Sequence, residues 1–252
     1  MLIDEICELL LPRATDRSVM DVRIGLGYTA VQLDDRRCGL AYTFRDEVPE
    51  GCSVVEEAGS LTSRTADELC NWAGSLDLLV STVGLATLNA LIEPPRQSVD
   101  TDHIELLAPR PDDVVGMVGY FGPLVAPLRK WVKTLHVFER HSGRELSILP
   151  DWSATTILPN CTIVILSATA LLNRTLDGLL EKCGSAREVA VLGPSTPLIP
   201  EIFAPHGVTW LSGIQVTDPA RLLQIISQGG GTRRFGRSVR KLSVRLGGDR
   251  GR

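Results

Sequence analysis

Glycine and small polar residues follow several apolar stretches in the second half of the chain, and these residue types are suited to binding a ligand. Gly119 and Gly122 lie in one such segment, and Gly193, Ser195 and Thr196 lie in another. Glycine lets the backbone approach a ligand closely, and the free amides at a helix start bind anions. Hydroxyl and amide side chains add directional hydrogen bonds. The further candidates are Ser167, Thr169, Asn173, Thr175, Ser212 and Gly213.

Two acids stand where they could act as a base or as a hard metal ligand. Glu139 ends a predicted strand 20 residues after Gly119, where dinucleotide-binding folds place the acid that binds ribose. The glycines recur as G-x-x-G-x-x-G and not as G-x-G-x-x-G, so a structural turn and a phosphate-binding loop both stay open. Asp218 precedes Pro219, which favours a helix N-cap over a catalytic carboxylate.

The spacing of cysteine and histidine excludes the common zinc motifs. The six cysteines are scattered without a C-x-x-C pair, and the four histidines form no H-E-x-x-H or H-x-x-x-H motif. In a chain without an export signal, such cysteines are typically buried free thiols. We therefore expect no metal site built from protein side chains alone, so a metal ion would arrive bound to the ligand.

Composition excludes several classes of protein. The chain has 252 residues, of which 44% are hydrophobic and 22% charged, with a mean hydropathy of +0.11. These values are typical of a folded protein with a sizeable core and exclude wholesale disorder. No apolar run reaches the roughly 20 residues of a membrane span. The first residues carry Asp4 and Glu5 where a signal peptide has bases, which predicts a cytoplasmic protein.

Charge is distributed unevenly along the chain. Residues 232–252 hold eight bases and one acid, whereas the remaining residues carry a net charge of −11. Such a basic segment can contact nucleic acid or another anionic surface, although a terminus that is solvated or docks on the protein itself is the simpler interpretation. Phe235 is its one aromatic residue, so stacking on nucleic-acid bases has little support.

The first half predicts a helix, a three-stranded meander and two further helices. The predicted elements are a helix at 2–11, strands at Val19–Ile24, Tyr28–Leu33 and Gly39–Phe44, and helices at Ala66–Trp72 and Leu76–Leu91. Asp77 or Ser75 is expected to cap the last helix, and Pro94-Pro95 ends it. Four prolines within residues 94–112 predict a linker between two domains.

The second half alternates short apolar strands with helices. Strands are predicted at Val114–Gly119, Lys133–Glu139, Thr162–Ser167, Glu188–Leu192 and Val208–Leu211, and helices at Leu124–Trp131, Leu171–Cys183 and from Asp218 through Ile226. Alternation of this kind predicts a doubly wound, Rossmann-like α/β domain whose ligands bind beyond the carboxyl ends of the strands. The predicted organisation is a domain at 1–93, a linker at 94–112, a Rossmann-like domain at 113–232 and a basic tail at 233–252.

The loop sequences resemble those of the "putative heavy-metal chelation" family. The likeness rests on Gly116–Leu124, Ser167–Thr175, Gly193–Leu198, Leu211–Pro219 and Gly229–Thr232 in the second half, and more loosely on Gly84–Ala90 in the first. It covers about residues 1–232 and leaves the basic tail outside. It implies an enolase-N-terminal-like α+β half joined to a Rossmann-like half, with a suspected site between them. Asn89 becomes a candidate on this ground, and helix capping is its alternative role.

Three functions therefore compete. The first is binding, with or without processing, of a small polar or anionic molecule between the halves; the resemblance implies a heavy-metal chelate or a chelator precursor. The second is an NAD(P)-dependent oxidoreductase, which the position of Glu139 at the end of a predicted strand supports. The third, less favoured, is a nucleic-acid-associated module that uses the basic tail. The sequence leaves open whether the protein is an enzyme, which cofactor it uses and whether it forms a homo-oligomer.

Overall fold

A small antiparallel sheet packed on helices forms the first half of the chain. The computed structural model describes residues 1–48, 50–51, 54–101, 103–140 and 147–247. Its first elements are α1 (Leu2–Ala14), β1 (Val19–Ile24), β2 (Tyr28–Leu33), β3 (Cys38–Tyr42), α2 (Ala66–Asn71) and α3 (Leu78–Leu91). The three strands pair in the order β1-β2-β3, so the predicted meander is confirmed.

The long helix α3 is fixed at its start and along its length. The Asp77 carboxylate accepts the backbone N–H groups of Leu79 and Val80 at 2.8 and 3.1 Å, which confirms one of the two predicted caps. Gly39 of β3 lies so close to α3 that a Cβ there would approach the Ala86 carbonyl oxygen to 2.2 Å. Helix and sheet therefore pack backbone to backbone.

A seven-stranded sheet flanked by helices forms the second half. Its elements are α4 (His103–Leu107), β4 (Val114–Val118), α5 (Gly122–Trp131), β5 (Thr134–Glu139), β6 (Ile148–Pro150), α6 (Ala154–Ile157), β7 (Ile163–Ser167), α7 (Thr169–Leu172), α8 (Leu176–Glu181), β8 (Glu188–Leu192), α9 (Pro200–Phe203), β9 (Trp210–Val216), α10 (Pro219–Ser227), α11 (Thr232–Phe235) and β10 (Val239–Arg245).

The strand order is that of a Rossmann-like sheet. The strands run β10-β9-β8-β7-β4-β5-β6, and all neighbours are parallel except the pair β9–β10. The order reverses at β4, because β5 and β6 lie on one side of it and β7 to β9 on the other. The connections after β4 and β7 consequently lead to opposite sides of the sheet and leave a crevice at its carboxyl edge. The predicted fold class is confirmed.

Two predicted elements differ clearly in their bounds, and one strand was not predicted. The helix expected at Leu171–Cys183 is split into α7 and α8 around Arg174, whose φ is +62°. The Arg174 guanidinium donates to the carbonyls of Ala73 and Ser75 at 2.6 and 3.1 Å, so a contact with the first half accompanies the break. The last parallel strand lies at Trp210–Val216 and not at Val208–Leu211, and β6 was not predicted.

The structure places a strand of the second sheet within the segment predicted as a basic tail at 233–252. Residues Val239–Arg245 form β10, which pairs with β9 along the full length of that strand. Leu242 and Val244 are buried, whereas Arg240 and Lys241 are exposed. The net charge of the segment comes from its exposed side chains, whereas the apolar residues that indicate a strand are the buried ones. The charge alone therefore did not indicate a strand. Residues 248–252 lie outside the described part of the chain.

The segment predicted as a linker also carries structure. Residues 94–112 contain α4, and both Ile104 and Leu107 are buried in the core that covers the second sheet. Val99 exchanges both backbone hydrogen bonds with Ser243 of β10, each at 2.8 Å. The connection thus follows the edge of the sheet and contributes to its core.

The two halves share one apolar core. Leu2, Ile3 and Ile6 of α1 belong to the same buried cluster as Leu198 and Phe203 of the second half. In the described part of the chain, no helix is both long enough and apolar enough to cross a bilayer.

Candidate functional site

A cleft of about 540 Å³ lies between the two halves at the point where the strand order reverses. Its floor is formed mainly by the residues that follow β4, β5, β7 and β8, with parts of β9 and β10, and also includes His103 and Thr232. Its roof comes from the first half of the chain and consists of Tyr28, Tyr42, Phe44, Asp46 and Glu47. Most of the predicted candidates lie on the floor.

Gly119 allows the turns after β4 and β7 to approach each other. Its φ is +92°, and a Cβ there would lie 2.7 Å from the Cβ of Ser167. Helix α5 then begins at Gly122, with Pro123 in its first turn and no capping bond from the side chain of Phe121. The wall at this point therefore offers the positive end of a helix dipole.

Glu139 lies in the cleft wall but is held by the backbone. One carboxylate oxygen accepts the N–H of Tyr120 at 2.9 Å, and the other accepts the N–H of Arg140 at 2.9 Å. The carboxylate thus fixes the glycine turn, and this use of Glu139 places a negative charge beside the start of α5. The Arg140 guanidinium reaches the roof, where its Nη1 lies 2.7 Å from Oε1 of Glu47.

Ser167 and Thr169 form a hydroxyl pair in the floor, whereas Asn173 and Thr175 lie away from the cleft. The hydroxyl oxygens of Ser167 and Thr169 are 2.8 Å apart, and both residues line the cleft. Thr175 donates its N–H and its hydroxyl to the Asn173 side-chain oxygen at 3.3 and 2.7 Å. These last two residues form a local motif at the start of α8 and do not line the cleft.

The loop after β8 joins the two halves. Ser195 is buried; its Oγ accepts the N–H of Tyr42 at 2.8 Å, and its carbonyl accepts the Asn89 amide at 3.1 Å. Thr196 donates its hydroxyl to the Gly193 carbonyl at 2.7 Å. Gly193 and Ser195 line the cleft, whereas Thr196 and Asn89 face a separate cavity of about 210 Å³.

Asn89 therefore positions this loop and does not reach the large cleft. Its amide also donates to the Leu40 carbonyl at 2.9 Å, which ties α3 to β3. Its side-chain oxygen is buried without a hydrogen-bond partner among the described residues. Helix capping, the alternative considered for Asn89, is not the role that these contacts give it.

Ser212 and Gly213 lie in the floor, and Asp218 does not. Ser212 shares a 2.6 Å hydrogen bond with Ser243 of β10, and a Cβ on Gly213 would lie 3.0 Å from the Thr196 carbonyl oxygen. Asp218 accepts the N–H of Arg221 at 3.1 Å as the N-cap of α10, which is the interpretation that the sequence favoured.

Aromatic residues in the cleft were not singled out from the sequence. The chain has only three tyrosines, and Tyr28, Tyr42 and Tyr120 all line the cleft, together with Phe44 and Phe121. The rings of Tyr28 and Tyr42 meet edge to face with centroids 5.8 Å apart. Burial raises the pKa of the Tyr28 phenol, so this group is a neutral hydrogen-bonding group at neutral pH. The sequence signal that could have pointed to these aromatic residues is the small number of tyrosines in the chain.

The described residues do not form a metal site on their own. No three His, Cys, Asp or Glu side chains among them are grouped closely enough to hold a metal ion. Burial raises the pKa of the Cys7 and Cys161 thiols to about 11 and that of Cys38 to about 12. These thiols stay protonated at neutral pH, whereas a thiolate is the form that binds metals.

Comparison with known families gives two matches, both described as "Putative heavy-metal chelation". One family model covers residues 7–92, and the other, DUF364, covers residues 102–245, which is more than half of the chain. The second match extends through β10, so the likeness reaches further than residue 232.

Similar proteins span nearly the whole chain. An uncharacterized protein of Methanocaldococcus jannaschii is 29% identical over 236 residues, which are 88% of this chain and 90% of that protein. The crystal structure of a DUF364 protein of unknown function from Pyrococcus horikoshii matches with a TM-score of 0.85 and 26% identity, over 98% of this chain and 100% of that one. A DUF364 structure from Desulfitobacterium hafniense matches with a TM-score of 0.77 and 22% identity, over 96% and 98% of the two chains, and so shares the fold.

Proposed function

The chain belongs to the family described as "Putative heavy-metal chelation", and from this premise we propose that it binds a small polar or anionic molecule in the cleft between its halves. The molecule is a metal chelate or a chelator that is being made or handled. Loop amides and hydroxyl groups would hold its polar groups, and the tyrosine rings would pack against its apolar or planar parts.

The observation that carries this proposal is the position of the cleft. It lies at the reversal of the strand order, where open α/β sheets bind ligands, and both halves contribute to its walls. A volume of about 540 Å³ is in the range of small-molecule sites. A purely structural gap would not need the hydroxyl pair of Ser167 and Thr169 or five aromatic side chains in its walls.

The metal is cargo in this proposal and not a resident cofactor. The described residues offer no group of three metal-binding side chains, and the thiols of Cys7, Cys38 and Cys161 are protonated. The carboxylates of Asp46 and Glu47 could complete the coordination of a metal whose other positions are filled by a chelator. The protein would then recognise the complex and not the bare ion.

Native mass spectrometry and elemental analysis of protein purified from its own host test this proposal. We expect a small-molecule adduct, with or without metal, that is lost in the cleft-filling variant Thr169→Tyr and kept in the control Thr156→Tyr, on exposed α6 surface. Circular dichroism confirms that both variants fold. Wild-type protein without an adduct or metal in every preparation would contradict the proposal.

An NAD(P)-dependent oxidoreductase is the second candidate, because of one observation. The order of the parallel strands and the place of Glu139 at the end of β5 match dinucleotide-binding folds. However, the Glu139 carboxylate already accepts two backbone N–H groups, one of them in the glycine turn itself. Titration followed by nicotinamide fluorescence distinguishes the candidates, since absence of binding at millimolar NADH or NADPH would remove this one.

A further inference from the structure

The cleft is elongated along the carboxyl edge of the sheet. Its floor includes residues from six neighbouring strands, from Lys241 on β10 to Arg140 after β5. Neighbouring strands lie about 4.8 Å apart, so the five gaps span roughly 24 Å. A spherical cavity of about 540 Å³ would be only about 10 Å across. The space is therefore a slot that suits an extended molecule.

Three contacts fix the direction in which the roof crosses this slot. The N–H of Tyr42 donates to Ser195 Oγ at 2.8 Å, which places Tyr42 above the loop that follows β8. Glu47 lies 2.7 Å from Arg140, which places Glu47 above the end of β5. At the other end, the Tyr28 ring meets Phe235 of α11 with centroids 5.2 Å apart. The roof is therefore aromatic over the middle and acidic over β5.

Charge is divided between the two ends of the slot. Around the end of β5, the described lining residues include three acids, Asp46, Glu47 and Glu139, and one base, Arg140. Arg45, outside the lining, lies 3.5 Å from Asp46, so three acids face two bases here. At the β10 end, Lys241 is the one formally charged side chain among the described lining residues. Lys241 pairs with Ile214 in the β10–β9 ladder, so the backbone that carries it is fixed. One end is thus net negative and the other net positive.

We propose that this slot selects an elongated zwitterionic ligand and fixes its orientation, with the positive end at Asp46 and Glu47 and the carboxylate end at Lys241. The proposal rests on the proposed function and specifies its ligand class. The positive end is a group that carboxylates hold, either an ammonium group or a metal ion carried by a chelating head.

The ion pair of Arg140 and Glu47 does not prevent this orientation. The two side chains are 43% and 29% exposed, and a pair as exposed as this contributes little stability. An incoming positive group can therefore share Glu47 at low cost. An incoming carboxylate would instead compete with Glu47 for Arg140 while facing Asp46 and Glu139, so like charges oppose that orientation.

Three series of linear probes, matched in chain length, test the proposal by saturation-transfer difference NMR. The series are ω-aminocarboxylates, α,ω-diamines and α,ω-dicarboxylates, each from short to long. We expect the long aminocarboxylates to bind most tightly, because only they match both ends at once. An aminocarboxylate with an iminodiacetate head, with and without zinc, shows whether the positive group is the ammonium or the metal.

Two charge-neutralising variants test the orientation. Lys241→Gln should weaken the aminocarboxylates and dicarboxylates by about fivefold without weakening the diamines. Glu47→Gln should weaken the aminocarboxylates and diamines by a similar factor without weakening the dicarboxylates. The matched controls Lys182→Gln and Glu181→Gln lie on exposed positions of the second half outside the cleft and should bind every probe as the wild type does.

The outcome against this inference differs from the outcome against the proposed function. Tighter binding of dicarboxylates than of aminocarboxylates in the wild type, or equal binding of short and long members, would overturn the bipolar slot while small-molecule binding stands. Absence of binding in all three series, together with preparations free of adduct and metal, would remove the proposed function itself.

Discussion

One buried carboxylate at the edge of the sheet opposite the cleft has three close hydrogen-bond donors. The Asp113 carboxylate is buried and accepts hydrogen bonds from Arg187 at 2.6 Å, from the Thr162 hydroxyl at 2.7 Å and from the Arg110 N–H at 2.7 Å. Burial alone would raise the pKa of Asp113, but these partners outweigh it and hold the pKa below its ordinary value. This carboxylate is therefore a source of pH-dependent stability.

Stability should fall in acid because of Asp113. A lowered carboxyl pKa contributes stability that is present above the unfolded-state pKa, near 4, and is lost as the pH falls through the folded-state pKa. Asp113→Asn should lower the free energy of unfolding by about 2–4 kcal/mol at pH 7 and flatten its decline in acid. Urea unfolding between neutral and acidic pH measures both effects. The exposed neighbour variant Asp112→Asn is the control, and an equal change in both variants would contradict this assignment.

The conformation of Gly119 in the turn at the cleft predicts how a substitution there changes stability. Gly119→Ala places a side chain at a positive φ and against Ser167, so we expect a loss of about 1–3 kcal/mol in the free energy of unfolding. Gly178→Ala lies within α8, where a Cβ meets nothing within 4 Å, and should stabilise by up to about 1 kcal/mol. Thermal denaturation of the two variants tests the difference in sign. Equal effects would mean that Gly119 is not conformationally required.

At the scale of the secondary-structure elements, the reliable predictions came from local sequence patterns and from the known topology of parallel sheets. Alternation of apolar strands and helices predicted the parallel sheet, and the rule that ligands bind after the strands placed Gly119, Ser167 and Gly193 at the cleft. The roof was not predictable in this way, because it depends on how the halves dock. The bond from Tyr42 to Ser195 and the pair of Glu47 with Arg140 join residues 153 and 93 positions apart, which no local pattern encodes.

Strand β10 shows how composition can mislead. Its charges suggested a tail that is solvated or docks on the protein itself, yet charged side chains on an exposed edge strand also discourage unwanted pairing between sheets. The buried side chains Leu242, Val244 and Leu246 recur at every second position, which is the strand period. Weighing periodicity above net charge would have identified the strand.

Removal of β10 should therefore unfold the protein and not merely weaken an interaction with nucleic acid. A chain ending after Thr232 loses the strand that covers β9, so we expect loss of cooperative unfolding or of solubility. A chain ending after Gly247 keeps β10 and serves as the control. Differential scanning calorimetry compares them, and a stable, cooperative 1–232 fragment would show that β10 is dispensable.

At the scale of the whole molecule, the two halves behave structurally as one unit. The same buried cluster includes α1 of the first half and α9 of the second, and Arg174 and Ser195 bond across the boundary. A domain pair joined only by a linker would not bury these groups together. Each of the predicted ranges 1–93 and 113–232 contains strands of a different sheet, the second sheet continues beyond residue 232 through β10, and the ranges do not imply independent folding.

Thermal unfolding should consequently occur as a single transition. Calorimetric and van't Hoff enthalpies should agree, because the shared core couples the halves. Ser195→Ala removes the acceptor of the half-buried Tyr42 N–H and should lower the midpoint of that one transition, at a cost of about 1–2 kcal/mol. The exposed control Thr156→Ala should leave the midpoint unchanged. Two separated transitions in the wild type would contradict this coupling.

The confinement of every tyrosine to the cleft has a practical consequence for following events there. Replacement of tyrosine by 3-fluorotyrosine during expression would give a fluorine spectrum with only three signals, from positions 28, 42 and 120. All three report on the cleft, on its roof through Tyr28 and Tyr42 and on its floor through Tyr120. Occupancy could thus be watched directly, with no background from elsewhere in the protein and before the natural ligand has been identified.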